Sequence, residues 1–215
     1  MATRKYEQRL RAEAAEETRR HILDAVYERL RAAPSEPVSL DKVARKARVA
    51  RSTVYLIFGS RAGLFDALGA DLLERGGFER LLRAAEHPDA REGLRGGIRE
   101  GVLIDAAHRD VLRVLHSMSL LDTDAVGGAV QRMEQGRAGG MAYVAKRLAD
   151  QGILRADVTV DEAADLLWLL TSFDSFDLLY TGRALSVDEV ARTLVTTAER
   201  SLCRAAAVEA GGTRH

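Results

Sequence analysis

The chain has 215 residues, of which 47% are hydrophobic and 30% charged. That length accommodates one large domain, or a small domain with a medium one, and the apolar fraction is enough for a buried core. The scarcity of proline and the abundance of Ala, Leu, Arg and Glu favour helix nearly throughout, so an all-α fold is expected. Cys203 is the single cysteine, which excludes an intrachain disulfide and fits a reducing cytoplasm. The sequence has neither the apolar core of a signal peptide nor a stretch long enough to span a bilayer, so a cytoplasmic protein without a membrane partner is predicted.

The charges sum to zero but are unevenly distributed. Residues 1–63 carry 14 basic and 8 acidic residues, a net charge of +6, whereas residues 64–215 carry 18 and 24, a net charge of −6. A basic end on an acidic body suits nucleic-acid binding at that end; chance asymmetry on solvated surfaces is the other interpretation. The predicted division is a DNA-binding head over residues 1–63, with an N-terminal arm, and a helical body over residues 64–215. The arm, residues 1–17, either lies along phosphates or in the minor groove, or is merely solvated.

Periodicity and capping signals predict about nine helices. Thr18 and Ser39 are the predicted N-caps of the first two, and Gly59-Ser60 ends the third and caps the fourth, which is expected to run to residue 84. Two separate helices are expected on either side of residue 108, and one continuous helix from 161 to 180. Ser186 is expected to cap the last helix, which ends near residue 207 before a loose tail. The predicted helices begin near residues 18, 40, 51, 61, 89, 109, 123, 161 and 187.

Residues 39–65 have the pattern of a helix-turn-helix, in which two short helices are joined by a tight turn. An apolar interior is expected on one side, and the helix over residues 51–57 presents a polar face on the other. Arginine can make a bidentate contact to guanine, serine and threonine can reach base edges or phosphates, and a threonine methyl can meet the methyl of thymine. The second helix of such a motif enters the major groove, so the segment predicts binding to double-stranded DNA. The interior is predicted from Val43, Ala44, Ala47, Val49, Val54 and Phe58, and the polar face from Arg51, Ser52, Thr53 and Tyr55.

Residues 18–68 also resemble the tetracycline-repressor (TetR) family of bacterial transcriptional regulators. The family pattern has an apolar first helix, a Ser or Thr opening the second, a T-x-Y-x-x-F third helix and a basic residue at the start of the fourth. Three positions depart from it, the mildest being Arg61, an arginine where lysine is more usual, which keeps the positive charge. Arg48 stands where glycine is usual, so either this arginine is strained at positive φ or the turn is not left-handed. Ile57 stands where a phosphate-contacting histidine is frequent. The matching residues are Ile22, Leu23, Val26, Tyr27, Leu30, Ser39, Thr53, Tyr55, Phe58, Ser60, Arg61 and Leu64.

The resemblance implies a homodimeric regulator whose heads bind a roughly palindromic operator and whose all-helical body binds a small molecule and the second copy. The residues predicted to contact DNA are Ser39, Arg48, Arg51, Ser52, Thr53, Tyr55 and Arg61.

The last two predicted helices are apolar enough to form a four-helix bundle with a second copy, which is their usual role in the resembled family. Their aromatic residues could instead line a ligand pocket, and the two uses can coexist. Asp177, within one apolar helix, either recognises a cationic or hydroxylated ligand or pairs with an arginine. The predicted dimer contacts are Leu170, Val190, Leu194, Ala198 and Leu202. The predicted ligand contacts are Leu115, His116, Met118, Tyr143, Trp168, Phe173, Phe176 and Asp177.

The sequence contains no G-x-S-x-G, P-loop lysine or H-E-x-x-H motif, so a non-enzymatic protein is expected. His108 and His116 do not have a diagnostic metal-ligand spacing, and neither a metal nor a cofactor is predicted. The predicted function is a transcriptional regulator, in the first instance a repressor released from its operator by a small hydrophobic effector. Two alternatives stay open. One is a regulator without a small-molecule ligand, controlled by a partner protein or by its own abundance. The other is a helical enzyme or adaptor with a vestigial DNA head.

Overall fold

The computed structural model describes residues 2–34 and 36–205, with side chains from Tyr6 onward. Within these ranges the regular secondary structure is helical, apart from one isolated antiparallel bridge between Leu154 and Cys203. The all-α prediction is therefore confirmed. The predicted tail after residue 207 and the side chains of Arg4 and Lys5 in the predicted arm lie outside the described part.

The described residues form ten α-helices and two π-helical turns, close to the nine helices predicted. No helix in this part of the chain combines the length and the apolar character that crossing a bilayer demands. The α-helices are α1 (Ala2–Ala32), α2 (Leu40–Lys46), α3 (Arg51–Phe58), α4 (Arg61–Gly76), α5 (Phe78–Ala85), α6 (Ala90–Ser119), α7 (Gly128–Asp150), α8 (Val160–Leu170), α9 (Phe173–Asp177) and α10 (Val187–Leu202). The π-helical turns are Thr123–Gly127, before α7, and Leu178–Gly182, after α9.

Tertiary contacts divide the chain into two compact units. The first unit comprises residues 1–78 and 104–136, and the second comprises residues 79–103 and 137–215. Both α6 and α7 contribute to each unit, since each helix crosses a boundary along its length. The predicted limit of the DNA-binding head, at residue 63, falls inside the first unit and stays a prediction about function.

The core of the first unit forms where α1, α2, α3 and α4 meet. Val43, Ala44 and Val54 of the predicted interior are buried, and Ala47, Val49 and Phe58 are half-buried. Fully burying a side chain of this kind stabilises a fold by about 1.5–3 kcal/mol. The apolar core therefore fixes the position of α3, and its opposite face is left in solvent. The largest of the other fully buried side chains in these helices are Ile22, Leu23, Leu30, Leu64, Phe65, Leu68 and Leu72.

Two boundaries in the first unit differ from the predictions. The first helix begins at Ala2, and Thr18 lies inside it, where its hydroxyl donates a hydrogen bond to the Ala14 carbonyl at 2.8 Å. The predicted N-cap is wrong because a threonine can bond the preceding turn of a helix as readily as it caps a new one. The predicted fourth helix ends early, at Gly77, whose φ of 105° suits the left-handed end of a helix.

The two helices predicted around residue 108 form one helix, α6, with a kink. His108 carries the only non-helical backbone angles in α6, with φ −119° and ψ 15°. Its ring is buried, and Nδ1 shares a hydrogen bond with the Tyr27 hydroxyl at 3.2 Å. The prediction placed the interruption at the right residue. The helix continues through it because His108 is held from the side by α1.

The second unit contains a break that the sequence did not predict. The helix expected from 161 to 180 ends at Leu170, and Ser172 caps the short α9 by accepting a hydrogen bond from the Ser175 amide at 3.1 Å. The N-terminus of α8 was also misplaced by one residue, since Thr159 caps it in a capping box with Glu162. The predicted cap of the last helix is confirmed, because Ser186 and Glu189 form the same motif.

The last helix ends at Leu202, earlier than the predicted 207. The chain there pairs with residues 153–155: the Arg155 amide donates to the Leu202 carbonyl and the Arg204 amide to the Ile153 carbonyl, both at 2.9 Å. This pairing satisfies backbone groups at the end of α10 that another turn of helix would otherwise use.

Candidate nucleic-acid interface

The turn between α2 and α3 is tight and left-handed. The Val49 amide donates to the Ala44 carbonyl at 3.0 Å, and the Arg48 amide to the Arg45 carbonyl at 3.2 Å, which is the Schellman arrangement. Arg48 has φ 57°, so of the two alternatives the strained left-handed one is correct. A non-glycine residue in this region costs of order 1–3 kcal/mol. The arginine is therefore kept at a position where glycine would be less strained.

The angle between α3 and α4 is set by two glycines and a cap. Gly59 has φ 72° and ends α3, and the Ser60 hydroxyl accepts a hydrogen bond from the Gly63 amide at 3.0 Å, as the predicted cap requires. A Cβ on Gly63 would lie 2.1 Å from the Phe58 carbonyl oxygen, so only glycine allows α4 to approach the end of α3 this closely. The recognition surface is thereby held at a fixed angle to α4.

Arg51, the first residue of α3, has two partners on the exposed surface of the head. Its Nη1 lies 3.1 Å from a carboxylate oxygen of Asp41 in α2, and its Nη2 donates to the Tyr55 hydroxyl at 3.3 Å. The guanidinium also sits 5.6 Å from the centre of the Tyr55 ring. The hydrogen bond to Tyr55 and the charge of Asp41 raise the pKa of Arg51. Asp41 of α2 and Tyr55 of α3 thus orient the guanidinium of Arg51 at the start of α3.

The remaining predicted contacts surround this fork. Ser52 is exposed, Ser39 and Thr53 are half-buried, and none of the three hydroxyls makes a hydrogen bond within residues 6–34 and 36–205. Arg48 is exposed and has no ion-pair partner in the same part of the chain. These side chains leave hydroxyl and guanidinium groups available to a ligand beside the oriented Arg51.

Arg61 is the exception among the predicted contacts. Its Nη1 pairs with the carboxylate of Asp122, at the start of the π-helical turn before α7, and its guanidinium lies 5.4 Å from the centre of the Phe65 ring. Less than a third of either charged side chain is exposed. Arg61 therefore lies close to the end of α3, but its guanidinium is paired with Asp122 inside the first unit.

Two further residues of the head were missed by the sequence analysis. Lys46, the last residue of α2, is exposed and carries no ion pair among the described residues. Leu56 in α3 is 86% exposed. The sequence did contain a signal for the exposure of Leu56. It lies four residues after Ser52, and side chains four apart lie on the same face of a helix.

The comparisons with known proteins agree with this geometry. Residues 22–68 match the family described as "Bacterial regulatory proteins, tetR family". This segment of the chain therefore carries the DNA-binding domain of the TetR family. The match runs from the middle of α1 into α4, so it covers the helix-turn-helix and the residues that support it. No curated protein sequence matches the chain at a significant level.

Solved structures extend the likeness beyond the TetR-family head. NalD of Pseudomonas aeruginosa, the secondary repressor of the MexAB-OprM multidrug efflux pump, is 24% identical, with a TM-score of 0.66 over 89% of this chain and 98% of NalD. A TetR-like transcriptional regulator of a Rhodococcus species is 23% identical, with a TM-score of 0.62 over 85% and 94%. A TetR regulator of Haloarcula marismortui is 16% identical, with a TM-score of 0.68 over 87% and 99%. At these identities the likeness establishes the fold.

The residues predicted to contact a ligand fall into two sets. Leu115, His116 and Met118 belong to the first unit, and the other five belong to the second. Within the second unit Phe176 is buried and stacks on Tyr180, with ring centres 5.2 Å apart, and Asp177 accepts a hydrogen bond from the Thr181 hydroxyl at 2.6 Å. Buried Phe173 packs on Phe176, whereas Tyr143 and Trp168 are nearly half exposed.

Of the predicted dimer contacts, four are buried within a single chain. Val190, Leu194, Ala198 and Leu202 are at most 3% exposed, and Leu170 is half-buried. In the single chain these four side chains are part of the protein core, so their role in a dimer stays a prediction. The exposed apolar side chains of α8, and of the π-helical turn that follows α9, are Val160, Trp168, Leu169 and Leu178.

The second unit also contains a groove of about 690 Å³ between α6 and α10. The residues that line it include the charged Arg99, Arg192 and Asp188 and the apolar Leu103 and Val195. None of the predicted ligand contacts lines it. Across the described ranges, no three His, Cys, Asp or Glu side chains gather closely enough to hold a metal ion.

Proposed function

We propose that this TetR-family chain is a homodimeric DNA-binding repressor in the cytoplasm, released from a palindromic operator by a small hydrophobic effector. The observation that carries the DNA-binding part is the oriented Arg51 at the start of α3. Its guanidinium is held by Asp41 and Tyr55 at the end of the helix where recognition helices meet base edges. A forked donor in a fixed orientation suits a bidentate contact to guanine. The proposed function is not enzymatic.

The other head residues take roles that follow from their groups. Ser52 and Thr53 contact bases or phosphates next to Arg51, and Tyr55 combines a phosphate contact with its support of Arg51. Ser39 and Arg48 contact the phosphate backbone, Arg48 at the cost of a strained backbone. Arg61 reaches a phosphate only when it leaves Asp122.

The dimeric part rests on exposed apolar side chains of the second unit. Trp168, Leu169 and Leu178 are 43%, 59% and 69% exposed in the single chain. Covering such side chains with a second copy removes apolar surface from water, and a two-fold axis places the two heads about 34 Å apart, one turn of DNA. The proposed dimer interface is formed by the exposed side of α8 and by the turn that follows α9. The buried apolar side chains of α10 are not part of it.

The repressor part extends to this chain what is stated of NalD, a repressor of an efflux pump. The effector part rests on the residues predicted to contact a ligand. Among the predicted ligand contacts, Tyr143 and Trp168 offer exposed aromatic faces, and Arg137 lies 5.2 Å from the centre of the Trp168 ring. An effector must bind the DNA-incompetent state more tightly, because a ligand with equal affinity for both states shifts nothing. The alternative is a regulator controlled by a partner protein or by its own abundance.

The decisive experiment is selection of bound sequences from random DNA by the purified full-length protein at about 0.15 M salt. Enrichment of a palindrome with half-sites one helical turn apart is expected. If no sequence is enriched over the starting pool, the DNA-binding function is refuted and the adaptor or enzyme becomes the better account.

The effector is tested with the selected operator and a panel of small hydrophobic compounds, read out as operator release. Tyr143→Ala, at an exposed position, should lower the potency of an active compound without changing operator affinity in its absence. Release by no compound in the panel would favour the regulator without a small-molecule ligand.

A further inference from the structure

Leu56 exposes 86% of its surface in the middle of α3. Single exposed leucines are common on protein surfaces, so exposure by itself carries no functional meaning. The position of this leucine is what distinguishes it, because α3 has only eight residues and is the recognition helix of the proposed function.

The helical geometry of α3 places Leu56 opposite the core. Successive residues turn by about 100°, so Leu56 and Ser52, four apart, lie one above the other, whereas Val54 lies on the other side. Val54 is 1% exposed, and Leu56 and Ser52 are both exposed, as this geometry requires. The row formed by Ser52 and Leu56 is therefore the centre of the outward face of α3.

Arg51 and Tyr55 lie to one side of this row and bond to each other, with Arg51 also held by Asp41. When the outward face of the helix enters the major groove, its central row points most directly at the base edges. Leu56 is one of the two side chains in that row, and it has no atom that donates or accepts a hydrogen bond.

We propose that Leu56 contacts the 5-methyl group of a thymine and makes each operator half-site prefer thymine at one base position. This inference rests on the proposed DNA-binding function. The thymine methyl is the one apolar group that the four bases present in the major groove. A leucine set against cytosine N4 or guanine O6 would remove a polar group from water without bonding it, which disfavours those bases.

The test begins with the sequences that wild type and Leu56→Ala select from random DNA. Alanine keeps the helix intact, because Leu56 makes no core contact and alanine is the better helix former. The variant should lose its thymine preference at one position of the half-site. At that position thymine is then replaced by uracil, which removes the methyl and leaves the hydrogen-bonding groups in place.

Wild type should bind the uracil operator about fourfold more weakly for each substituted half-site, the value expected for one methyl-sized group. Leu56→Ala should bind both operators equally. Leu121→Ala, a change at the 90% exposed Leu121 in the connection after α6, should keep the full wild-type sensitivity to the methyl.

Equal sensitivity of wild type and Leu56→Ala to uracil overturns the inference, as does an unchanged base preference in Leu56→Ala. Selection of no sequence by wild type would instead refute the DNA-binding function itself, so the two failures are distinguishable.

Discussion

Arg61 and Asp122 are 61 residues apart in the sequence, and they form an ion pair that links the first residue of α4 to the connection before α7. Asp122 has a second role, since its other carboxylate oxygen accepts a hydrogen bond from the Ala125 amide at 3.3 Å. The Nε of Arg61 is buried without a hydrogen-bond partner in the described part of the chain. Arg61, which the sequence predicts to contact DNA, is thus paired with Asp122 inside the first unit.

Asp122→Asn should release Arg61 and strengthen binding to DNA of any sequence. The asparagine can still accept from Ala125 through Oδ1, but it no longer holds the guanidinium by charge. One additional phosphate contact per head should steepen the dependence of log K on log salt by about 0.9 per head. The measurement is fluorescence anisotropy on random and operator DNA over a series of salt concentrations.

Asp124→Asn is the matched control, because it removes the same charge two residues away from an exposed side chain. Equal effects of the two variants would mean that DNA binding responds only to the loss of a negative charge and that the ion pair with Arg61 plays no part. Weaker binding by Asp122→Asn would mean that the ion pair positions the head and that Arg61 makes no phosphate contact.

Arg51→Ala should weaken binding to the preferred operator by about 1–3 kcal/mol and relax one base position, since a bidentate base contact is lost. Asp41→Asn should lower the same base preference by less, because Arg51 loses its ion pair but keeps its contacts to Tyr55. Binding to random DNA should rise with the loss of a negative charge. The coupling is measured by combining the variants: in the Arg51→Ala background, Asp41→Asn should no longer affect base preference. An undiminished effect there would show that Asp41 acts independently of Arg51.

Leu169→Asp should dissociate the dimer without unfolding the chain, because Leu169 is 59% exposed in one protomer. Leu194→Asp, by contrast, places a carboxylate in the protomer's own core and should unfold it, since an unpaired buried charge is strongly unfavourable. Sedimentation velocity together with thermal unfolding separates the two effects. Leu121→Asp, at a 90% exposed leucine of the first unit, should change neither. A folded monomer for Leu194→Asp, or an intact dimer for Leu169→Asp, would contradict the proposed dimer interface.

His108 should make stability depend on pH. Its burial, with a smaller effect of the Arg75 charge, lowers the pKa of His108, and Asp71 opposes the shift in part. The unfolded chain has the ordinary imidazole pKa of about 6.5 and so takes up a proton first as the pH falls. The free energy of unfolding should therefore be independent of His108 above pH ~6.5 and decrease below it, by at most about 1.4 kcal/mol per pH unit.

His108→Gln should remove this slope between pH 7.5 and 5.5 in urea unfolding, whatever it does to absolute stability. His87→Gln, at an exposed histidine, should retain it. A slope in His108→Gln equal to that of wild type would assign the pH dependence to other groups.

Local signals determined much of the fold in advance. Ser60 and Ser186 cap the helices that the sequence assigned to them, Gly59 ends α3, and the interruption at residue 108 lies where it was predicted. The order of polar and apolar residues over 39–65 was also enough to predict the helix-turn-helix. Caps and turns depend on groups three or four residues apart, so a short stretch of sequence contains both partners of each interaction.

The tertiary structure decided the features whose partners are distant in sequence. The residues around Thr18 are compatible both with an N-cap and with the interior of a helix. The structure decides between the two, because α1 continues through Thr18. The apolar stripe of Leu194 fits a core and a dimer seam equally well until its burial within one chain is known. Arg61 could serve DNA by its local pattern, yet its nearest charge is Asp122. Periodicity specifies that a face is apolar or charged, but which surface covers that face depends on how distant segments pack, and that is set by the fold as a whole.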